Sequence, residues 1–279
     1  MKCKNCGQEV SDSTTNCTSC GEWAGFCNVR IAENPQEVQA LLVRYGDAVT
    51  QAKTRGVLPL IESFESMVAK DSRAVVALDV DRLWGMAKSP NTLFTNYQLL
   101  VDAFARKPAA LEHDKRRTRV DGALFGSFGK NIRYAVLSLD KTGLKSYGNC
   151  FIVLKELHTA NRASVLECNS FDFVENSQGR AQTLGYRSTW SNRHLLAVAK
   201  CVNDIDSNTQ SADFSRIILK AGDNRQEDDF LEVHIYGPFD FKAIEAIGVA
   251  KVPFDTRDSL TLDLIKKYAK DEDIEWLAA

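Results

Sequence analysis

The sequence contains no run of apolar residues long enough to cross a membrane, so it gives no reason to expect a membrane partner. It also lacks charge of one sign. With 35 Lys and Arg against 37 Asp and Glu, the net charge of −2 removes any global electrostatic argument for nucleic-acid binding. Only four histidines are present, and none suggests a Ser-His-Asp arrangement. No glycine-rich phosphate loop, internal repeat or low-complexity tract interrupts the chain. No apolar leader precedes Cys3, and the cysteines beyond the first twenty residues (Cys27, Cys150, Cys168, Cys201) are scattered among apolar neighbours. These features set the expectation of buried thiols in a reducing cytoplasm.

What is present begins at the N-terminus. Cys3, Cys6, Cys17 and Cys20 form two CxxC pairs, each followed by glycine (Gly7, Gly21), with ten residues between the pairs. Thiolates at that spacing suit one tetrahedral Zn²⁺ in a ribbon of two knuckles. The alternative, two disulfides of a secreted peptide, sits poorly with a 279-residue chain that is 44% hydrophobic and 26% charged, an ordinary globular composition.

The texture of the chain divides it into three. Residues 1–28 read as the ribbon. Residues 29–110 read as mostly helical: Asn34 and Pro35 open one helix, Leu60, Phe64, Met67 and Val68 mark a second, and Leu93, Tyr97, Leu100, Val101 and Phe104 a third. Within this part, residues 74–78 fit either a strand or a buried helical segment. Residues 111–279 read as an α+β domain, with strands over 132–139, 148–154, 164–173, near 217–219 and over 230–236. Helices are expected over about 190–202 and from an Asp258 cap onward. The run Lys115-Arg116-Arg117-Thr118-Arg119 is a solvated face or a surface that meets a target.

The strand Phe230–Tyr236 carries the chemistry. Alternation puts Leu231, Val233 and Ile235 on a core face and Phe230, Glu232, His234 and Tyr236 on the other. An acid and an imidazole between aromatics suit a cleft wall, or else an edge strand whose polar face meets water. Residues 232–238 (Glu-Val-His-Ile-Tyr-Gly-Pro), with 241–247 after them, resemble the last catalytic strand of bacterial ADP-ribosyltransferase-like toxins. Residues 121–139 resemble that group's loop and first strand. Residues 146–170, through Ser146-Tyr147-Gly148, Arg162-Ala163-Ser164 and Asn169-Ser170, resemble its aromatic-Gly strand, Arg-Ala-Ser step and polar end.

The resemblance covers about residues 120–250 and implies a split β-sheet domain that transfers ADP-ribose from NAD⁺ to a cytoplasmic macromolecule, protein or nucleic acid. It also implies a toxin or defence effector. Glu232 would stabilise the cation formed as the nicotinamide bond breaks, with Ser164 supporting it, unless the Ser164 hydroxyl is satisfied by backbone. Arg133 would meet the dinucleotide phosphates, or else a buried acid. Tyr134 and Tyr147 would stack on its rings or belong to the core, and His234 joins the same wall. Gly148 would allow close approach or mark a bulge, while Asn169 and Ser170 are also ordinary turn residues. Where many members carry Glu or Gln two residues before the catalytic acid, this chain has Phe230, which argues against an arginine acceptor.

Two rival readings remain. One is a zinc-ribbon interaction protein with an inert ligand-binding domain. The other is a Mg²⁺-dependent haloacid-dehalogenase-like phosphatase using Asp79 and Asp81, with Gly222-Asp223 and Asp228 as its metal loop.

Overall fold

A computed structural model describes residues 2–3, 5–11, 13–94, 111–175 and 184–277. After a short helix α1 (Cys27–Ala32), Asn34 caps the long helix α2 (Pro35–Thr54) by accepting the Gln36 N–H at 2.9 Å. Pro35 takes the first helical position, where a missing N–H costs nothing. Gly56, at φ +72°, turns the chain into α3 (Leu58–Asp71), which buries Ile61, Phe64 and Val68 at helical spacing.

The segment 73–78, which the sequence left open, is strand β1 (Arg73–Leu78). The remaining strands are β2 (Ile132–Ser138), β3 (Cys150–Leu154), β4 (Ala163–Leu166), β5 (Arg187–Thr189), β6 (Leu219–Lys220), β7 (Asp229–Phe230), β8 (Glu232–Tyr236), β9 (Ile244–Val249) and β10 (Glu275–Trp276). Eight of them form one ladder in the order β10-β9-β3-β1-β2-β8-β4-β5, and β6 pairs with β7 in a separate ribbon. Every pairing is antiparallel except β10 with β9. The protein is therefore a mixed α/β structure around a large mixed sheet. The ladder is continuous among the described residues, in place of the two halves of a split sheet. Because β1 lies between β3 and β2, the stretches 29–94 and 111–277 share one sheet and one core, across the boundary drawn at 110.

Alternation along β2, β8 and β4 separates two packing environments. Ala135, Leu137, Val165, Val233 and Ile235 join a large aliphatic core with Leu41, Phe64, Val68 and Leu196. Ile132 and Leu166 face the opposite way, into a smaller and more aromatic cluster. That cluster takes Val120, Leu124 and Phe125 from helix α4 (Leu111–Phe125), and Phe173 from helix α5 (Ser170–Glu175). Cys27 of α1 and Phe128, from the 3₁₀ turn 126–131, complete it.

Several expected elements end early. The strand read over 164–173 stops at Leu166, because the Asn169 side chain accepts the Phe171 N–H at 2.8 Å and starts α5. The strand expected at 217–219 keeps only β6, since 214–218 is helical. Residues 230–236 are two strands. Phe230 pairs with Leu219, and β8 begins at Glu232. The last helix (Thr256–Asp271) is capped by Asp255, whose carboxylate accepts the Asp258 N–H at 2.7 Å. The helix expected through Leu93 and Phe104 lies outside the described residues beyond Phe94.

Candidate functional site

The four N-terminal cysteines converge. Cys3 and Cys20 sulfurs lie 3.6 Å apart, as do those of Cys6 and Cys17, and all four ligand atoms fall within 4.8 Å of one another. A Zn–S bond of about 2.3 Å in a tetrahedron separates sulfurs by about 3.8 Å, so the spacing fits such an ion. The two knuckles repeat one geometry. Gly7 donates to the Cys3 carbonyl at 3.0 Å with φ +73°, and Gly21 to the Cys17 carbonyl at 2.8 Å with φ +74°. Backbone amides of Cys20 and Ser19 pull the Cys17 thiol down to about 6. The Gln8 amide works to lower the Cys6 thiol, but the neighbouring thiols and burial carry it up to about 12. Four thiols this close cannot all ionise without a cation among them. The ribbon seats on the sheet through Phe26, whose ring lies 5.3 Å from that of Tyr236, and Arg30 donates to the Ser11 carbonyl at 2.8 Å.

A second site opens on the Glu232 face of the sheet, where the aliphatic core meets the aromatic cluster. Val75 and Ala77 of β1, Tyr134 and Val136 of β2, and Glu232 of β8 line a small cleft of about 70 Å³, closed by Leu144, Tyr147 and Phe230. The cross-strand register builds it: Val136 stands opposite Glu232, Tyr134 opposite His234, and Val75 opposite Val136. The Glu232 side chain is 7% exposed. Its Oε2 accepts the Ser170 N–H at 2.7 Å and meets His234 Nε2 at 3.2 Å. With both contacts on one oxygen, the carboxylate is held while Oε1 is left to the cleft.

The walls are also fixed. The Tyr134 hydroxyl donates to Asp121 at 2.5 Å, and the Tyr147 hydroxyl accepts from Asn169 at 2.9 Å. Burial raises the Tyr134 phenol well above its ordinary range. Tyr147 is pushed up to about 12, again by burial first, with the charges of Glu232 and Asp228 acting the same way. Both phenols are neutral at physiological pH.

Glu232, Tyr134, Tyr147, Asn169, Ser170 and His234 are thus brought together. Ser164 is close, directly opposite His234 across the β4–β8 pair, but its hydroxyl meets the Asn28 side chain at 3.2 Å. The Ser170 amide takes the supporting position expected of Ser164. Arg133 belongs to the other face. It sits opposite Ile235, is 2% exposed, and its NH1 donates to the Lys130 and Ile132 carbonyls at 2.9 and 3.2 Å. Burial, with Arg162 nearby, pushes its guanidinium down to about 10. Gly148 does allow close approach, but to the protein's own strand: a Cβ there would fall 2.5 Å from the Leu78 carbonyl.

Sequence reasoning missed Arg117 and Asp121. Arg117 sits inside the basic run on α4, yet its guanidinium lies 3.9 Å from the centre of the Tyr134 ring and its Nε 3.4 Å from Asp121. Its neighbours Arg116 and Arg119 both turn to Glu175. Helical periodicity would have separated Arg117 and Asp121, four apart, from Arg116 and Arg119. Burial raises the Asp121 carboxyl against the pull of Arg117.

The phosphatase pattern does not assemble. Asp81 pairs with Arg257 at 2.9 Å on the surface, and Asp228 is occupied by Ser146 and the Gly222 amide. Among the described residues the four cysteines form the one group of three or more His, Cys, Asp or Glu placed to hold a metal. The sequence matches no protein-family model and no curated protein.

Proposed function

We propose that the protein transfers ADP-ribose from NAD⁺ to a macromolecular acceptor, with Glu232 as the catalytic residue. The observation that carries this reading is the Glu232 carboxylate, anchored through Oε2 and presented to a cleft walled by Tyr134 and Tyr147. At about 70 Å³ the cleft is smaller than the range of about 300–1,000 Å³ for small-molecule pockets, so a ring and its sugar enter only as its walls move apart. The tyrosines hold the nicotinamide. The bond from ribose C1′ to the pyridinium nitrogen breaks with its electron pair passing to nitrogen, and nicotinamide leaves neutral. Positive charge develops at C1′ beside Glu232, whose fixed carboxylate stabilises it. A nucleophile of the acceptor then bonds to C1′ and gives up its proton. Phe230, 2% exposed at the cleft wall, offers no polar group to orient an arginine acceptor, which favours a hydroxyl or nucleobase.

Incubation of labelled NAD⁺ with lysate and protein tests the reading, with free nicotinamide measured in parallel. Wild type is expected to label a macromolecule, and Glu232→Gln to lose about 10²- to 10³-fold in rate. A twofold loss would remove Glu232 from the chemistry, and no label or nicotinamide from wild type would leave a ligand-binding protein. The ribbon is proposed to hold one structural Zn²⁺ through Cys3, Cys6, Cys17 and Cys20. Elemental analysis of protein purified without added metal is expected to give one zinc per chain, and near-zero zinc with intact thiols would refute it.

A further inference from the structure

Each of the two cleft tyrosines carries an arginine on its ring. Arg117, from α4, lies 3.9 Å from the centre of the Tyr134 ring. Arg225, from the loop between β6 and β7, lies 4.7 Å from the centre of the Tyr147 ring. The two come from segments more than a hundred residues apart, yet both act on one hydroxyl, since Arg225 and Arg117 each pull the Tyr147 phenol down against its burial. Arg117 also feels the Glu232 charge. The cleft therefore has a carboxylate within it and a guanidinium against each aromatic wall.

Neither guanidinium is used up. Asp121 takes the Arg117 Nε, and among the described residues no hydrogen bond occupies its two terminal nitrogens. The Arg117 side chain is mostly buried, at 23% exposed, and desolvation is the largest influence on its guanidinium. Arg225 spends Nε on the Ser146 carbonyl at 2.7 Å and is otherwise open on an exposed loop. The loop itself is pinned, because Asp228 accepts the Gly222 N–H at 3.0 Å and the Ser146 hydroxyl, joining the loop to the segment that carries Tyr147. Both stems are thus held by backbone, carboxylate and ring contacts, with the forked ends left to bind. Planar forks of this kind match phosphate oxygens two at a time, and a second fork over the other tyrosine suits a second phosphate.

We propose that Arg117 and Arg225 hold the two phosphates of a diphosphate-bearing nucleotide whose electron-poor end meets Glu232. The inference rests on the transfer reading for which end of the ligand lies at Glu232, and moves phosphate binding away from Arg133. It makes the ligand class a nucleoside diphosphate derivative and not a free nucleoside or base.

Titration calorimetry with ADP and adenosine, on wild type, Arg225→Ala, Arg117→Gln and Arg117→Lys, tests it. The exposed Arg225 can be replaced without opening the core, and Arg117→Lys keeps the charge while losing the fork. Wild type is expected to bind ADP at least tenfold more tightly than adenosine. Arg225→Ala and Arg117→Gln should each weaken ADP tenfold or more with adenosine unchanged, and Arg117→Lys should fall between. ADP affinity equal to wild type in both Arg225→Ala and Arg117→Gln overturns the proposal, as does a wild type that binds the two ligands alike. The two readings fail separately. Nicotinamide release with an unchanged KM for NAD⁺ in both variants removes the phosphate role and keeps the transfer reaction. Arginine-dependent ADP binding with no NAD⁺ turnover does the reverse.

Discussion

The two faces of strand β8 are built from alternate residues of one pentapeptide, and they follow different rules. Val233 and Ile235, fully buried, pack into the aliphatic core with residues from helices and strands across the whole chain. Glu232, His234 and Tyr236 face a smaller cluster where rings, an acid and an imidazole hold one another by directed contacts. The aliphatic face stabilises by area and close packing, and tolerates no change of volume. The aromatic face gives up some of that stabilisation to keep a carboxylate buried and still available. The proposed catalytic carboxylate sits on a strand whose other face is locked into the aliphatic core.

That contrast can be broken from either side. The largest effect on folding is expected from Ile235→Ala, which removes a fully buried side chain beside Ala163 and Arg133 and should cost about 2–5 kcal/mol. Urea denaturation checks it, and a loss below about 1 kcal/mol would mean the core collapses around the gap. Glu232→Gln should act the other way. Its rate loss corresponds to about 3–4 kcal/mol of transition-state stabilisation, while the urea midpoint stays the same or rises. A Glu232→Gln protein that is both inactive and strongly destabilised would erase the distinction between the faces.

Smaller effects sharpen it. Asp121 has its carboxyl raised by burial, so whatever stability it contributes is present below the ordinary carboxyl pKa and lost as pH rises. At pH 7 the ionised group is a net cost, and Asp121→Asn should raise Tm while loosening Arg117 over Tyr134. A lowered Tm would show that the Arg117 contact outweighs burial.

On the aliphatic side, burial depresses the His194 imidazole below its ordinary value of 6.5, with Arg193 acting the same way and Glu65 opposing. Its stabilising contribution is complete above pH 6.5 and declines as pH falls through that value toward the depressed pKa of the folded protein. Thermal melts between pH 7.5 and 5 should therefore show a falling Tm, with a shallower slope in His194→Gln. An unchanged slope would assign the fall to other groups, His158 among them, since burial depresses it as well.

How much of this was readable depended on whether the signal was local. The cysteine pairs and their glycines specify their own geometry. The pattern Glu232-Val233-His234-Ile235-Tyr236 carries its two faces on its surface. The grouping of Glu232 with Tyr134 and Tyr147 followed from motifs in order along the chain. Alternation alone excludes Arg133 from the cleft: neighbours on a strand point to opposite faces, so Arg133 and Tyr134 cannot both line it. Arg117 was hidden by composition, one cation among four, and only the helix phase tells it apart. The end of β4 at Leu166 was masked by apolar Phe171 and Phe173, which belong to α5 and not to the strand. β1 was ambiguous because a five-residue apolar run fits a central strand and a buried helix equally. What settles it is a pair of partners, Val136 and Val153 flanking Val75, that lie far along the chain.

The position of β1 has a consequence for how the chain is made. Arg73 pairs with Ser138, Leu78 with Cys150, and Ile132 with Tyr236, so the middle of the sheet waits for partners synthesised long after its first strand. At about 5–20 residues per second, β1 leaves the ribosome on the order of ten seconds before its second neighbour, β3, is complete. During that interval Ala74 to Leu78 is an unpaired apolar strand, the kind of segment that chaperones cover. The cysteine knuckles close over a span of only about twenty residues and need no distant partner. Glu232, on a strand paired with β2 and β4, gains its final surroundings among the last.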